Sequence, residues 1–539
     1  MPITHLGPAT RPIRWGDWVA PSHTLPTPSE IGASSVAHVH TGDGTIDLPD
    51  ILGGANVKLY GATADGTTDD SAAIQDAADV GGTVVFPPGV YCFKNIEFLS
   101  GTTVILEGDV SVVAPAGAVA ADCFFKATGT SGAHLNTIKV VGGSFDGGSV
   151  MLTAIRYEYV DGATWRDTYC HDFAYTVGAG GLLATHCTDV HAWFCRSDTC
   201  NNGITVSYCS RGAIIGCVDR NCMEDGFLVI ASDSFAVNSC EVYDYNSYDG
   251  AGHAARGAIH IYNSDDCAVT GNLVMDGIDR IVDELPSRGI RFRNADRFTC
   301  SGNYVCNSAG YGIAVEEVNS PADSAGWGSI TGNTVIGCRQ TGIIVLHATC
   351  VPCTISGNVI VGRALVGGDT YASDFSGITC KSAQSVIAGN SISDVMGDGI
   401  NISGIDTTCI GNIIHDVGLS ARGSHYGITL VTATNCVLAN NVLTAPSTHM
   451  VNGIRTYSGA SARVTGNVVA NSSGAAYRLD GTTIAEQVVQ TAHIANASVA
   501  YTTGGLDTEA EVIAAVNATN GKINSILAAL EANSITLTA

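Results

Sequence analysis

The sequence predicts an all-β fold, a single-stranded parallel β-helix occupying residues 155–480. Three observations predict it. A Gly-Asn step followed by apolar residues recurs, as in Gly271-Asn272-Leu273-Val274, Gly302-Asn303-Tyr304-Val305, Gly357-Asn358-Val359-Ile360 and Gly466-Asn467-Val468-Val469. A Gly-Ile-x-apolar step alternates with it, as in Gly289-Ile290-Arg291-Phe292, Gly312-Ile313-Ala314-Val315 and Gly399-Ile400-Asn401-Ile402. The first buried residue of that step falls at Ile155, Leu182, Ile204, Phe227, Ile259, Ile290, Ile313, Ile343, Ile378, Ile400, Ile428 and Ile454, in steps of 22 to 35 residues. A strand signature repeating at such a period, with insertions of variable length, marks a solenoid. Each unit alternates apolar and polar over four or five residues and then meets Gly or Asn, which reads as short strands joined by turns that need positive φ.

Composition agrees. Glycine makes up 64 of 539 residues, against about 7 % in ordinary proteins. A continuous core can lengthen without splitting into domains, so the length does not require several. Acidic residues number 50 and basic residues 25, a net charge of −25. That balance argues against nucleic acid and anionic membrane surfaces as partners. No apolar run reaches the ~20 residues of a membrane span. Met1-Pro2-Ile3-Thr4-His5 does not open a charged-then-apolar leader, so no signal peptide is expected. The nineteen cysteines are then expected to be reduced and buried as small hydrophobes. Cys267, Cys353 and Cys436 stand five residues before a turn Asn, while Cys187, Cys217 and Cys240 are expected to replace that Asn.

In chain order, residues 1–50 hold Pro2, Pro8, Pro12, Pro21, Pro26, Pro28 and Pro49 with Trp15 and Trp18. Such proline density prevents regular ladders, and the segment reads as an attachment arm. Residues 51–154 hold a terminal cap and the first coils. Asp69 or Asp70 can N-cap a helix over residues 71–79, with Ala73, Ile74 and Ala77 as its apolar stripe. Val84 to Phe86 then forms a strand stopped by Pro87-Pro88-Gly89. Residues 481–504 read as a transition. In residues 505–539, Ile513, Val516, Asn520, Ile523, Leu527 and Leu530 form an a/d seam, with Asn520 as a register-fixing polar residue. Barely three heptads would not hold alone, so the body must associate with it.

The run from Gly61-Ala62 through Asp65-Gly66-Thr67-Thr68-Asp69-Asp70-Ser71-Ala72-Ala73-Ile74-Gln75 to Gly81-Gly82-Thr83-Val84-Val85-Phe86-Pro87-Pro88-Gly89-Val90-Tyr91 closely resembles the N-terminal cap of the pectate-lyase-like superfamily. Ala64 is a trivial departure. The resemblance covers some 35 residues strongly and the later repeats loosely. It implies a right-handed β-helix of the kind seen in phage tailspikes, capsule depolymerases and polygalacturonase relatives, and a link to carbohydrate. The stretch from Asn517 to Leu530 resembles C-terminal segments of phage tail and head-fibre proteins, which implies a homotrimeric coiled coil.

Adjacent coils lie ~4.8 Å apart, so outward residues of successive strands form a column. Most of that column is bland. Three successive coils are not: His260 and Tyr262, then Arg291 and Arg293, then Glu316. Glu316 falls one coil from Arg293 and two from Tyr262, roughly 5 and 10 Å. Long insertions carrying Asp249 and His253, then Asp279 and Glu284, flank the patch, and another with Tyr371 follows two coils later. Insertions on one side of a solenoid wall a cleft. Glu316, Arg293, His260 and Tyr262 are therefore the candidate catalytic residues. Arg291, Asp249, His253, Asp279, Glu284 and Tyr371 are the candidate substrate contacts. An inert ladder from Arg293 to Glu316 is the plain alternative. Hydrolysis would pair Glu316 with an acid from the insertions. Elimination from a uronic acid needs Arg to neutralise the carboxylate and His, Tyr or Arg to take the α-proton. Glu224-Asp225-Gly226, Gly252-His253 and Arg291-Phe292-Arg293 faintly echo a polygalacturonase order, with departures at Glu224, Ala254 and Arg293, which makes Glu224 and Asp225 secondary candidates.

These readings converge on a tailspike or tail-fibre protein that binds and cleaves a bacterial surface polysaccharide, capsule or lipopolysaccharide. It would be made in the host cytoplasm, held to virion tail or baseplate proteins by its arm, and trimeric through its C-terminal coil. A non-catalytic fibre and a free-standing lyase or glycoside hydrolase are the rivals. No cofactor is called for, with calcium admitted only if the reaction is elimination.

Overall fold

A computed structural model of the chain describes residues 54–175, 180–247, 256–277, 287–316, 327–346, 352–362, 376–419, 425–445, 449–480 and 482–484. The architecture is a right-handed parallel β-helix. Each coil contributes one short strand to each of three sheets, of 17, 16 and 15 strands. One coil reads Phe227–Ile230, Asp233–Asn238, Glu241–Tyr243; the next reads Gly257–Tyr262, Ala268–Thr270, Leu273–Met275. Every strand pairs in parallel with its equivalent one coil away.

The expected register of the third sheet holds position by position. Phe227 pairs with Ile259, Ile259 with Ile290, Ile290 with Ile313 and Ile313 with Ile343. These side chains are buried in one column. Toward the N-terminus the core turns aromatic, with Phe86, Phe93, Phe124, Phe125 and Phe145 in mutual contact and Tyr157 stacked on Trp165 at 5.0 Å.

The repeat's two glycines serve different needs. Gly302, of the Gly-Asn step, sits at φ +64, the left-handed region that favours glycine. Gly312, of the Gly-Ile step, has no positive φ; a Cβ there would meet Val335 at 2.4 Å and the Gly342 carbonyl at 2.6 Å. It is required by close coil approach, so positive φ explains only half of the repeat's glycines.

The turn asparagines line up inside the coil. Asn272, Asn303, Asn333, Asn358, Asn390, Asn412, Asn441 and Asn467 form a buried ladder in which each amide donates to the next Asn Oδ1, at 2.8–2.9 Å. Cys240 continues it, its N–H donating to Asn272 Oδ1 and its thiol facing the Ile214 carbonyl. Cys217 repeats that arrangement on Ala192. Cys187 does not. It belongs to a second column, Cys187–Cys209–Ser232–Ser264, in which each backbone N–H donates to the next side chain. Its thiol lies after a strand of the third sheet, at a different corner of the coil. Eighteen cysteines fall in the described residues, all free, and all but Cys306 are buried.

The helix Ser71–Asp79 forms with Ile74, Ala77 and Ala78 buried. Of the two expected capping residues, the first makes the bond. Asp69 Oδ1 accepts from Ser71 N at 2.9 Å, while Asp70 makes no cap bond. Buried Asp70 instead accepts from Thr63 N and Ala64 N, fastening the preceding turn. The arm at 1–50 and the coiled coil at 505–539 lie outside the described residues.

Candidate active site

The outward columns of the third sheet assemble as the repeat requires. Leu228, His260, Arg291 and Ala314 are register partners in sequence, as are Ile230, Tyr262, Arg293 and Glu316. Pointing outward does not make these side chains open. His260, Arg291 and Glu316 are all buried.

Glu316 departs from the expected ladder. Its oxygens face Arg288 and Arg291: Oε1 accepts from Arg288 Nε at 2.8 Å and Oε2 from Arg291 Nε at 2.8 Å, with the terminal nitrogens at 2.6 Å. The two guanidiniums hold the carboxyl below its ordinary range against the opposing effect of burial. Glu316 is thus a charged partner between two arginines, which leaves neither a proton to donate nor an uncommitted oxygen. Arg293 turns instead to Tyr262, its Cζ 4.7 Å from the ring centre. Tyr262 in turn stacks against His260 at 5.7 Å.

The turn preceding Phe227–Ile230 brings Glu224 and Asp225 beside this column. Asp225 is fully buried. It accepts from Gly257 N at 2.7 Å and lies 3.3 Å from His260 Nδ1. Burial raises its pKa, but His260, Arg256 and the Gly257 N–H outweigh it, so the net direction is down and Asp225 stays ionised. An ionised acceptor fixes the His260 tautomer with the proton on Nδ1. His260 Nε2 then carries the lone pair, and it has no hydrogen-bond partner among the described residues. Burial pulls the His260 pKa below its ordinary value despite Asp225, so the ring is neutral at pH 7.

Glu224 has the opposite bias. Arg256 Nη2 approaches at 2.8 Å, Tyr175 donates at 3.2 Å and Asn201 at 3.3 Å. Burial nevertheless outweighs the guanidinium, and the Asp225 charge adds to it, so the Glu224 pKa is raised. Two neighbouring acids with pKa values pushed apart are a mark of acid and base assignments.

Four arginines, Arg256, Arg288, Arg291 and Arg293, lie on two consecutive coils. Four guanidiniums against the three carboxyls of Glu224, Asp225 and Glu316 make the site locally cationic in a chain of net charge −25. Arg256, Arg288, Tyr175 and Asn201 were not among the sequence candidates. The density of arginine between 256 and 293 was the available signal. The echo's histidine was placed at His253; the partner Asp225 has is His260. His253 and the other insertion candidates, Asp249, Asp279, Glu284 and Tyr371, lie outside the described residues. Calcium, which takes six to eight oxygen ligands, does not fit this set, where guanidinium and imidazole groups surround Asp225 and Glu316.

The fold is a parallel β-helix, and its N-terminal part is similar to a pectate-lyase-like family. Residues 54–254 match the family "Rhamnogalacturonase A/epimerase, pectate lyase-like", and residues 249–419 match "Periplasmic copper-binding protein (NosD)". A 54-residue stretch is 50% identical to plasmin and fibronectin-binding protein A of Streptococcus pneumoniae, covering 9% of this chain and 8% of that protein. Among solved structures, the tailspike of E. coli bacteriophage HK620, in complex with a pentasaccharide, is similar over 80% of this chain and 81% of its own, at 12% identity and TM-score 0.51. The A-module of an Azotobacter vinelandii mannuronan C-5 epimerase aligns with 80% of this chain and 100% of its own, at 14% identity and TM-score 0.36.

Proposed function

We propose that the protein binds a bacterial surface polysaccharide containing uronic acid and cleaves it by elimination. The observation that carries this reading is the Asp225–His260 pair, with His260 neutral, its buried Nε2 without a hydrogen-bond partner among the described residues, and arginines beside it. His260 Nε2 takes the proton α to the uronate carboxylate. The released electron pair forms a carbon–carbon double bond, and the glycosidic C–O bond at the β-carbon breaks. The leaving oxygen takes its proton from Glu224, whose pKa burial shifts toward the protonated form. Arg291 and Arg293 offset the charge that builds on the carboxylate. Glu316 holds Arg288 and Arg291 in place. The matched family's name and the pentasaccharide held by the HK620 tailspike support a saccharide substrate.

Attachment to a virion tail through residues 1–50 and homotrimer formation through residues 505–539 are part of the same proposal. They fit a tailspike that reads its host by its surface glycan. Removing residues 508–539 should impair trimer assembly. Equal assembly of the truncated chain, followed by light scattering, would rule out that role.

The test of the site is a comparison of variants on a uronate-bearing capsule. His260→Ala and Asp225→Asn should lower turnover by about 10²–10⁴-fold with glycan binding retained. Tyr262→Phe should have a small effect, because its ring flanks His260 without bonding to it. If His260→Ala keeps full turnover while Glu224→Gln and Asp225→Asn lose it, the reaction is hydrolysis by the acid pair. If no variant changes anything and no bond is cut, the protein is an adhesive fibre.

A further inference from the structure

In six successive coils the turn after the third-sheet strand holds one residue in the left-handed region. In successive coils these are Tyr159, His186, Tyr208, Ala231, Asn263 and Asn294, all with φ between 47° and 53°. Their N–H groups each donate to the carbonyl one coil on, which fixes the equivalence. Asn suits this backbone. A bulky ring there is an outlier that the chain holds under strain. The first three positions nevertheless carry rings, and the rings stack: Tyr159 on His186 at 4.8 Å and His186 on Tyr208 at 5.0 Å. His134 abuts Tyr159 edge-on at 5.5 Å.

The stack stops at Ala231. Tyr208 is 61% exposed, and the place where the next ring would lie holds a methyl group. One coil beyond, Asn263 is exposed and accepts from Asn294 Nδ2 at 2.9 Å. Its side-chain Nδ2 donates to nothing among the described residues. The result is a notch one ring thick, with an aromatic face on one side and an amide donor on the other.

We infer that this notch is a saccharide subsite in which one pyranose ring stacks on Tyr208 and accepts a hydrogen bond from Asn263. An apolar ring face beside a single placed polar group is the ordinary make-up of a small-molecule site. The notch lies on the same face as the active site. Asn263 directly follows Tyr262 and stands three residues, about 10 Å, from His260. The inference rests on the glycan reading above and adds where the chain is gripped away from the bond that breaks.

Two substitutions act on it in opposite ways. Tyr208→Ala removes the platform. Ala231→Tyr fills the notch with the protein's own ring, at a backbone conformation where Tyr208 already stands. The probe is an array of bacterial capsular polysaccharide and lipopolysaccharide preparations. On the glycans that the unmodified protein binds, both variants should lose about tenfold or more in affinity. Ala231→Tyr should do so with an unchanged or raised thermal midpoint, which a purely structural stack would not connect to binding. Binding by both variants at the unmodified level would overturn the subsite. So would an absence of binding to any preparation by the unmodified protein. Normal glycan binding by both notch variants, with turnover lost in His260→Ala, would refute the subsite while leaving the reaction untouched. Binding lost in both notch variants, with full turnover in His260→Ala, would do the reverse.

Discussion

Asp225→Asn isolates the feature on which the chemistry depends. The carboxylate touches two donors, Gly257 N at 2.7 Å and His260 Nδ1 at 3.3 Å. An asparagine keeps the shape and can keep the Gly257 contact through its oxygen. Its NH2 must then face His260 and donate to Nδ1. The imidazole proton is driven to Nε2, where the lone pair was needed, and the base is blocked. Loss of an orienting acid in this way removes about 10²–10⁴ in turnover. The change also removes the negative charge that raises the His260 pKa. His260 acts as a base only when neutral, so kcat/KM rises with pH through its pKa, which lies below the ordinary value. In the variant the residual ascending limb should move to still lower pH. The assay is product release from a capsular polysaccharide across a pH series, with fold checked by circular dichroism. Unchanged turnover with an unchanged limb would refute the orienting role. A limb that moved to higher pH would refute the assignment of His260 as base.

The other expectations concern the scaffold. Asn358→Ala removes hydrogen bonds to Asn333 N, Asn333 Nδ2, the Ile330 carbonyl and Asn390 Oδ1. Leaving two or three of those buried groups unsatisfied costs about 3–6 kcal/mol, to be read as faster unfolding in guanidinium; an unfolding rate within twofold of the unmodified protein would contradict the ladder. Asp219 is buried beside Ser197 and its pKa is pushed up to about 7. The unfolded carboxyl loses its proton near pH 4, so stability is greatest below that and falls until the folded group ionises near pH 7. Asp219→Asn should therefore flatten the decline between pH 4 and 8, of order 4 kcal/mol, measured by denaturant midpoints; an identical pH slope would refute it. Mass analysis of the denatured, unreduced protein should find free thiols at the eighteen described cysteines, and any substantial disulfide content among them would contradict the buried columns. Glu316→Gln breaks a buried charge cluster and should cost ~3–5 kcal/mol of stability, whereas a purely chemical role would cost turnover alone.

The fold was legible because the solenoid is a local code repeated many times. The third-sheet register follows from reading Ile259, Ile290 and Ile313 as equivalents. The site was legible in part. Column logic brought His260, Tyr262, Arg291, Arg293 and Glu316 onto one face. It could not say which arginine Glu316 would choose, because that depends on side-chain reach. Arg288 enters from the start of its strand, off the column that the repeat defines. Asp225 looked like a turn residue, since acid-Gly before an apolar run is ordinary turn chemistry; only the approach of the next coil gives it His260. The cysteine columns show the same limit. Cys187 and Cys240 have similar sequence surroundings but occupy different corners, which the spacing to the nearest strand decides.

The central claim is that a neutral His260, held by Asp225, takes a proton beside a uronate. The most direct measurement is the ultraviolet absorbance of the products when the intact protein digests a uronate-bearing capsular polysaccharide. The account requires absorbance from an unsaturated uronate to rise in step with new reducing ends, and both to vanish in His260→Ala. New reducing ends without that absorbance would contradict it.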